Sequence, residues 1–577
     1  MKTVVISGGT GNDALIRGLK HYYPSMDCKV IVNAYDNGKS TGICRLVTNK
    51  LGVSDIRKNH IRMYMAMTDN PNMSIVEFYE NRYDFTPGRE VEEICEKLKT
   101  WDLERFEPYV KNFFKHRNAY NYLYSDFNVS NIVYSEMYVE EGYEFTNCMM
   151  CKELLGIDDF VILNSYDNIY IEANTEKGKH IDDEGEIVEW CNPDDKIISL
   201  DYVSESTFPP QLNSRAVEAI EKADLIVIST GTFWSSIFPT LEYGDFYKYI
   251  NQSKARKIWV FNCNEDKDSY GVYADEFIDI VKALGLNVDD FSLLFNKDAV
   301  PSLRDTSYSY RKYNTSMGNN NGKHSSQKYA EAILKIYYGL ADFYPNHIAI
   351  DFDDTIWPRD KSQVKYAADN LEALNYIENV TIISGNSFDS IKRKLSSIYG
   401  ETLSDFYVPV WADASTTQFV KGKKTDEIHS LFIKGDNAYQ VKNYFEYKFG
   451  IKPVNEVEGE DVPFIKFKPL SEKERKLVVD LYNSFLRYHL GCPETKAVST
   501  GRTTVDILTS RDSKSEVFQH LGLDKLNTLY IGDEVDSGND YSVADMATRS
   551  IHTSGVEETY CILQVICNDI RINIFRR

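Results

Sequence analysis

Three observations predict an α/β protein, with a doubly wound, Rossmann-like parallel-sheet domain first and a second α/β domain carrying an inserted α+β cap after it. Short apolar strands alternate with amphipathic helical patterns along most of the chain. Several strands end in glycine-rich or aspartate-bearing loops, where open parallel sheets bind ligands. The composition sets the scale: 577 residues, 42% hydrophobic and 26% charged, allow about three to four domain-sized units with large cores.

The same composition narrows the function. No apolar run approaches the roughly 18 residues of a membrane span. A net charge of −22 argues against nonspecific binding to nucleic acid or anionic membranes. An anionic ligand must therefore be met by backbone amides, a few Lys or Arg, or a metal. The stretch Met1 to Ser7 reads as a first strand, too short and glycine-bounded for a signal peptide. With ten scattered cysteines, this predicts a cytoplasmic protein with reduced thiols. Cys148 and Cys151 form one CxxC inside a helical pattern. A structural zinc site usually needs a second pair, so these two read as helix-packing residues.

In the first half, residues 2–7 make a buried-type strand, followed by Gly8-Gly9-Thr10-Gly11 and a helical pattern through Leu15, Leu19 and Tyr22. A second strand runs from Lys29 to Asn33. This order is a phosphate cradle: glycines let the chain come close, and the helix start offers free amides to an anion. Gly9, Gly11 and Ala14 also fit G-x-G-x-x-A, a pattern too common to identify a dinucleotide site alone. Gly38-Lys39-Ser40-Thr41 suggests a Walker A loop, but the glycine required five residues earlier is Asn33, which rules it out. What remains is a hydroxyl-rich loop carrying Asp36, suited to phosphate or metal contact.

Leu51 to Lys58 forms a corner with Asp55 and Arg57. Residues 60–125 read as mainly helical with core aromatics, and Asn128-Val-Ser-Asn131 opens a further helical pattern. Short strands at 160–172 and 186–203 flank an acidic, glycine-bearing turn. A helix at 214–223 leads into the strand Asp224 to Ser229, which ends at Gly231-Thr-Phe-Trp-Ser-Ser236. A βα pair spans Lys257 to Leu284, Asn314 to Lys323 is a polar loop, and a helix at about 325–338 closes the domain.

VVISGGTGNDALIRGL, NAYDNGKSTG, LGVSDIRK, NVSN, AVEAIEKADLIVISTGTFWSSIFPTL and KARKIWVFNCN, in this order, resemble the 2-phospho-L-lactate transferase and gluconeogenesis-factor family over about residues 1–338. The resemblance implies a nucleotide-diphosphate or nucleotide-sugar ligand at the first glycine loop. Gly8, Gly9, Thr10, Gly11, Lys39, Ser40 and Gly231 would then bind nucleotide or phosphate, with Asp36, Asp55 and Asn131 lining the same cleft. It also implies a homodimer and, in the transferase branch, magnesium. Many members carry two adjacent aspartates where this chain has Asp36-Asn37. Losing a carboxylate weakens a magnesium site, so ligand binding is better supported than transfer.

In the second half, His347-Ile-Ala-Ile-Asp-Phe-Asp-Asp-Thr runs an apolar strand into Asp351 and Asp353, with Thr355 two further on. Side chains two apart share a face of an ending strand, so two carboxylates and a hydroxyl converge there. A second strand, Val380 to Ser384, ends at Gly385-Asn386; Arg511-Asp-Ser-Lys514 opens a helix; Thr528-Leu-Tyr-Ile-Gly-Asp533 ends in an acid and is followed by Asp536-Ser-Gly-Asn-Asp540. Residues 412–499 break the βα rhythm and read as the cap, with the core resuming at Val505-Asp-Ile-Leu.

This order resembles the haloacid dehalogenase (HAD) superfamily of phosphohydrolases over residues 345–577, in the branch that holds sugar-phosphate phosphatases and phosphomannomutase. The resemblance implies Asp351 as nucleophile and Asp353 as general acid and base. Ser384 and Lys514 would hold the phosphoryl group. Mg²⁺ would lie among Asp351, the backbone carbonyl of Asp353, and Asp533, supported by Asp540 or Asn539. Asp354, Asp506 and Asp536 read as turn or surface carboxylates.

The expected division is 1–340 for the nucleotide-binding or transferase domain, 341–411 with 500–577 for the phosphatase core, and 412–499 for the cap. The expected activity is hydrolysis of a small phosphomonoester with Mg²⁺, fused to a nucleotide-diphosphate-binding domain that adds a transfer activity. The alternative is a phosphatase regulated by a non-catalytic nucleotide-sugar sensor. A nicotinamide-dependent dehydrogenase is disfavoured because only G-x-G-x-x-A supports it.

Overall fold

Runs of branched apolar residues make the strands of both main sheets, as in Leu225-Ile-Val-Ile228, whose four side chains are all buried. Strands buried on both faces are those of a parallel sheet covered by helices on either side. The computed structural model describes residues 1–9, 11–204, 209–297, 311–318, 323–468, 471–500, 504–536 and 540–574. They divide into two units, Met1–Ala341 and Asp342–Arg577.

The first unit contains β1 (Lys2–Ile6), β2 (Asp27–Val32), β3 (Val161–Leu163), β4 (Tyr170–Thr175), β5 (His180–Ile181), β6 (Ile197–Val203), β7 (Leu225–Ile228), β8 (Arg256–Val260), β9 (Phe291–Asn296) and β10 (Arg311–Thr315). Seven of these form one sheet in the order β10-β9-β8-β7-β1-β2-β3, every pairing parallel. The strand order reverses at β1, which lies between β2 and β7. Strands β4–β6 form a small antiparallel sheet beside it. The segment 186–203 is not strand throughout: Asp183 caps a helix, Glu184–Glu189, by accepting from the Glu186 amide, and β6 begins only at Ile197. The aromatics of residues 60–125 are core, with Phe78 and Phe106 stacked at 5.8 Å. The polar loop extends less far than expected, because β10 takes residues up to Thr315, while residues 319–322 lie outside those described.

The second unit contains β11 (His347–Ile350), β12 (Val380–Ile383), β13 (Val410–Ala412), β14 (Thr417–Val420), β15 (Lys423–Glu427), β16 (Ile465–Phe467), β17 (Thr495–Thr500), β18 (Thr504–Thr509), β19 (Thr528–Gly532) and β20 (Arg549–His552). Its main sheet has the order β15-β14-β13-β12-β11-β19-β20. The pairings are parallel from β13 to β20 and antiparallel across β13, β14 and β15. The insertion is the antiparallel sheet β16-β18-β17 with the helices Gly435–Phe449 and Glu472–Leu481, around its own apolar core.

Both expected boundaries of the insertion move. β14 and β15 extend the main sheet, so the insertion does not begin at 412. β18, expected to resume the core, pairs with β16 and β17. Val505 and Ile507 face the inserted core, and period-2 alternation marks a buried face without saying which sheet owns it. Asp506 is correspondingly not a surface carboxylate: it is 4% exposed and pairs with Lys466 of β16 at 3.4 Å. Among the described residues no helix is long and apolar enough to cross a membrane.

Candidate functional sites

In the second unit β11 lies between β12 and β19, so the chain leaving Ile350 enters a sheet's switch point. The Asp351 amide donates to the Ile531 carbonyl at 2.9 Å, which fixes Asp351 beside the end of β19. Asp354 follows at φ 55°, a left-handed turn that aspartate tolerates, and its carboxylate pairs with Arg359 at 2.7 Å.

Three carboxylates converge here: Asp351, Asp533 and Asp540 each bring an oxygen within 4.8 Å of the other two. Lys514, at the start of the helix Ser513–His520, bridges two of them, 2.6 Å from Asp351 Oδ1 and in direct contact with Asp540 Oδ1. Asp540 is fully buried and also accepts from the Tyr530 hydroxyl at 2.8 Å. Gly532 makes room for it, since a methyl group there would sit 2.4 Å from Asp540 Oδ2. Burial pushes the Asp351 carboxyl up to about 7, overriding Lys514, and Asp540 adds to the rise. Asp533 is pushed up to about 6, again by burial first and Asp540 second. Burial works against the Lys514 ammonium, but its two carboxylates outweigh that and raise its pKa.

Asp353 is held apart from this group. The Asn386 side-chain Nδ2 donates to its Oδ2, and Lys394 donates to its Oδ1 at 2.7 Å. Its carboxylate is not one of the three converging carboxylates. Ser384 is 1% exposed at the end of β12; its hydroxyl accepts from the Asn386 amide at 3.2 Å, and its carbonyl accepts from Ser415 at 2.9 Å. Thr355, fully buried, reaches Asp533 at 3.5 Å. Asn539 lies outside the described residues. Asp536 is exposed and pairs with His552 at 3.1 Å. The sequence reading omitted Lys394 and Tyr530: nothing local marks a helix lysine or a strand tyrosine as facing a carboxylate. Asn386, directly after Ser384-Gly385, did carry a positional signal.

In the first unit the switch point at β1 opens into a cleft of about 990 Å³. Gly8, Gly9, Gly11, Asp36, Asp55 and Gly231 line it. A methyl group on Gly11 would sit 1.8 Å from the Thr230 carbonyl oxygen, so that position admits no side chain, and one on Gly9 would sit 2.3 Å from Asp55 Oδ1 and displace that carboxylate. Asp36 accepts from the Gly38 amide at 2.9 Å. Asp55 lies 3.6 Å from Lys58, and burial still raises its carboxyl. Lys39 also lines the cleft, exposed, at φ 45° and paired with Asp126 at 3.1 Å. Thr10 lies outside the described residues.

Ser40 and Asn131 were expected at the cleft wall but are buried behind it. Asn131 donates to Ser40 at 2.9 Å, joining the helix that starts at Lys39 to the helix Val129–Glu140. Two features were not anticipated. Arg17, Lys58, Arg62 and Arg82 line the cleft, giving a strongly acidic protein a local set of cations. Arg62 Nη1 is buried there without a hydrogen-bond partner. Glu184, from the acidic turn, is 6% exposed and accepts from the Asn37 amide at 3.3 Å. Burial, then the charge of Asp36, holds its carboxyl well above the ordinary range.

A family model described as 2-phospho-L-lactate transferase CofD matches residues 3–332. A putative gluconeogenesis factor of Aquifex aeolicus is 23% identical over 269 residues, covering 45% of this chain and 67% of that protein. The crystal structure of a UPF0052-family protein from Bacillus halodurans is 20% identical, with 57% of this chain and 98% of that one covered at a TM-score of 0.44. An IMP-bound IMP-nucleotidase of Plasmodium falciparum is 14% identical, with 42% of this chain and 74% of that one covered at a TM-score of 0.29.

Proposed function

The chain belongs to the 2-phospho-L-lactate transferase CofD family through residues 3–332, and from that premise we propose a two-site protein: a nucleotide-diphosphate-binding unit fused to a Mg²⁺-dependent phosphomonoester hydrolase. The observation that carries the hydrolase reading is the bridge of Lys514 between buried Asp351 and Asp540, with Asp533 alongside. A buried, cation-paired aspartate at a strand end is a poised nucleophile.

The three converging carboxylates fit a hard divalent cation, because all donors are anionic oxygens, and burial raises the Asp351 and Asp533 carboxyls with Asp540 adding to each rise. Mg²⁺ held by Asp351, Asp533 and Asp540 would supply the charge that lets a carboxylate approach a phosphate. The Asp351 carboxylate attacks phosphorus, forming an aspartyl-phosphate as the bond to the leaving oxygen breaks. Asp353, oriented by Asn386 and Lys394, gives the leaving oxygen a proton, then takes one from the water that cleaves the aspartyl-phosphate. Lys514 neutralises the nucleophile and holds the phosphoryl oxygens; Ser384 at the end of β12 donates to another.

The substrate class is a small phosphorylated metabolite. Phosphate release by the full chain from a panel of sugar phosphates and nucleotides, with Mg²⁺, tests the reading. Release is expected from at least one substrate and is expected to disappear in Asp351→Asn; release that continues in that variant overturns the reading.

In the first unit, glycines, a helix start and a local set of cations support an anionic nucleotide ligand. Asn37, in place of an aspartate, favours the second reading, a sensor that binds without transferring. Calorimetry with nucleotide sugars, alongside phosphatase assays with and without them, separates the two. Binding without turnover, accompanied by a changed phosphatase rate, establishes the sensor.

A further inference from the structure

Behind the first unit's sheet, a side chain of one helix meets two from a later stretch of the chain. His60 lies on the helix Ser54–Met67, Cys151 in the π-helical turn Met149–Leu155, and Asp159 just ahead of β3. A ring nitrogen of His60, Cys151 Sγ and an Asp159 carboxylate oxygen all lie within 4.8 Å of one another. His60 and Cys151 are both 0% exposed.

The hydrogen bonding leaves this group unfinished. His60 Nδ1 is engaged by the Tyr134 hydroxyl at 2.7 Å, while its Nε2 is buried with no partner. Asp159 Oδ2 is held by Arg215 at 3.0 Å, while its Oδ1 is buried with no partner. Two orphaned polar atoms and a thiol at one buried point are costly unless something satisfies them together.

We propose that His60, Cys151 and Asp159 form a binding site for a zinc-class transition metal ion. The donor set decides the class: a thiolate and an imidazole suit zinc and reject magnesium or calcium, which require oxygen ligands. A tetrahedral zinc shell spaces its donors by roughly 3.5 Å, so a closure of about 1 Å completes three corners, with water as the fourth. Tyr134 supplies the supporting contact, accepting from Nδ1–H so that Nε2 presents its lone pair, and donating a hydrogen bond to Tyr79, whose hydroxyl lies 2.9 Å away. Burial prepares the imidazole by pushing its pKa down to about 3, so it stays neutral. Burial raises the Cys151 thiol, so binding displaces a proton from sulfur. Full burial of two ligands makes the role structural: the ion ties the π-helical turn to the long helix and to the lead into β3.

This site is independent of the phosphate chemistry. Its test is cobalt(II) added to metal-stripped full-length protein, read as thiolate-to-cobalt charge-transfer absorption, which carboxylate sites cannot produce. The band is expected in wild type and in Cys148→Ser, whose cysteine is exposed and outside the group. It is expected to be lost in Cys151→Ser, with folding checked by circular dichroism. Zinc should raise the melting temperature of wild type and not that of folded Cys151→Ser. Absence of the band in wild type, or its persistence in Cys151→Ser, overturns the proposal.

Discussion

Both units place their first strand at the switch point of a parallel sheet, β1 between β2 and β7 and β11 between β12 and β19, yet they furnish that point differently. At the end of β1 the chain offers glycines, among them Gly11, where a methyl group would overlap a carbonyl oxygen, with cations around the rim. At the end of β11 it offers buried carboxylates strapped by one ammonium. Amides and peripheral cations hold a phosphate in place without activating it. A desolvated carboxylate beside a lysine can attack one. On the proposed reading the same topology serves recognition in one unit and covalent chemistry in the other, and the side chains at the strand ends decide which.

The sharpest way to break that contrast is Asp351→Asn, expected to lower phosphate release by about 10⁴-fold or more, because the covalent path is lost. A loss under tenfold in a steady-state assay would remove the distinction. Asp353→Asn removes only acid–base help and should cost about 10²–10⁴-fold in kcat, most severely for substrates with poor leaving groups. On the other side, Gly11→Ala forces a methyl group into the Thr230 carbonyl and should cost the first unit about 1–3 kcal/mol. Calorimetry should show weakened nucleotide-sugar binding, while phosphate release stays at the wild-type rate; a changed rate would point to the sensor reading.

The smallest effect concerns pH. Asp351 and Asp533, raised to about 7 and about 6, keep protons in the folded state that the unfolded chain has released above about pH 4. Stability without cation should therefore fall as pH rises from about 4 to 7. Mg²⁺ binds the deprotonated carboxylates, so its gain in melting temperature should be larger at about pH 8 than at about pH 5. Equal gains at both would argue that these carboxylates do not share the ion.

Sequence made much of this legible where spacing alone fixes geometry. Asp351 and Asp353 are two apart at a strand end, and Gly8, Gly9 and Gly11 follow a strand and precede a helix, so local periodicity places them. Lys514 was readable only through the order of segments around it. Glu184, Lys394 and Tyr530 were not readable, because each reaches its partner through tertiary packing that leaves no mark on neighbouring residues. Cys148 and Cys151 read alike as helix-packing residues, whereas packing splits them, leaving Cys148 exposed and carrying Cys151 to His60 and Asp159. Asp506 failed differently: a carboxylate within an apolar alternation reads as outward, and only the pairing of β18 with β16 supplies the lysine that keeps it inside.

The assignment of β18 to the inserted sheet has a mechanical consequence. Only residues 510–512 separate that strand from the helix carrying Lys514, and the Ser510 amide is clasped to the Glu494 carbonyl at 2.6 Å. So short a tether leaves no slack. A tilt of the insertion would pull on the very turn that aims the ammonium at Asp351 and Asp540.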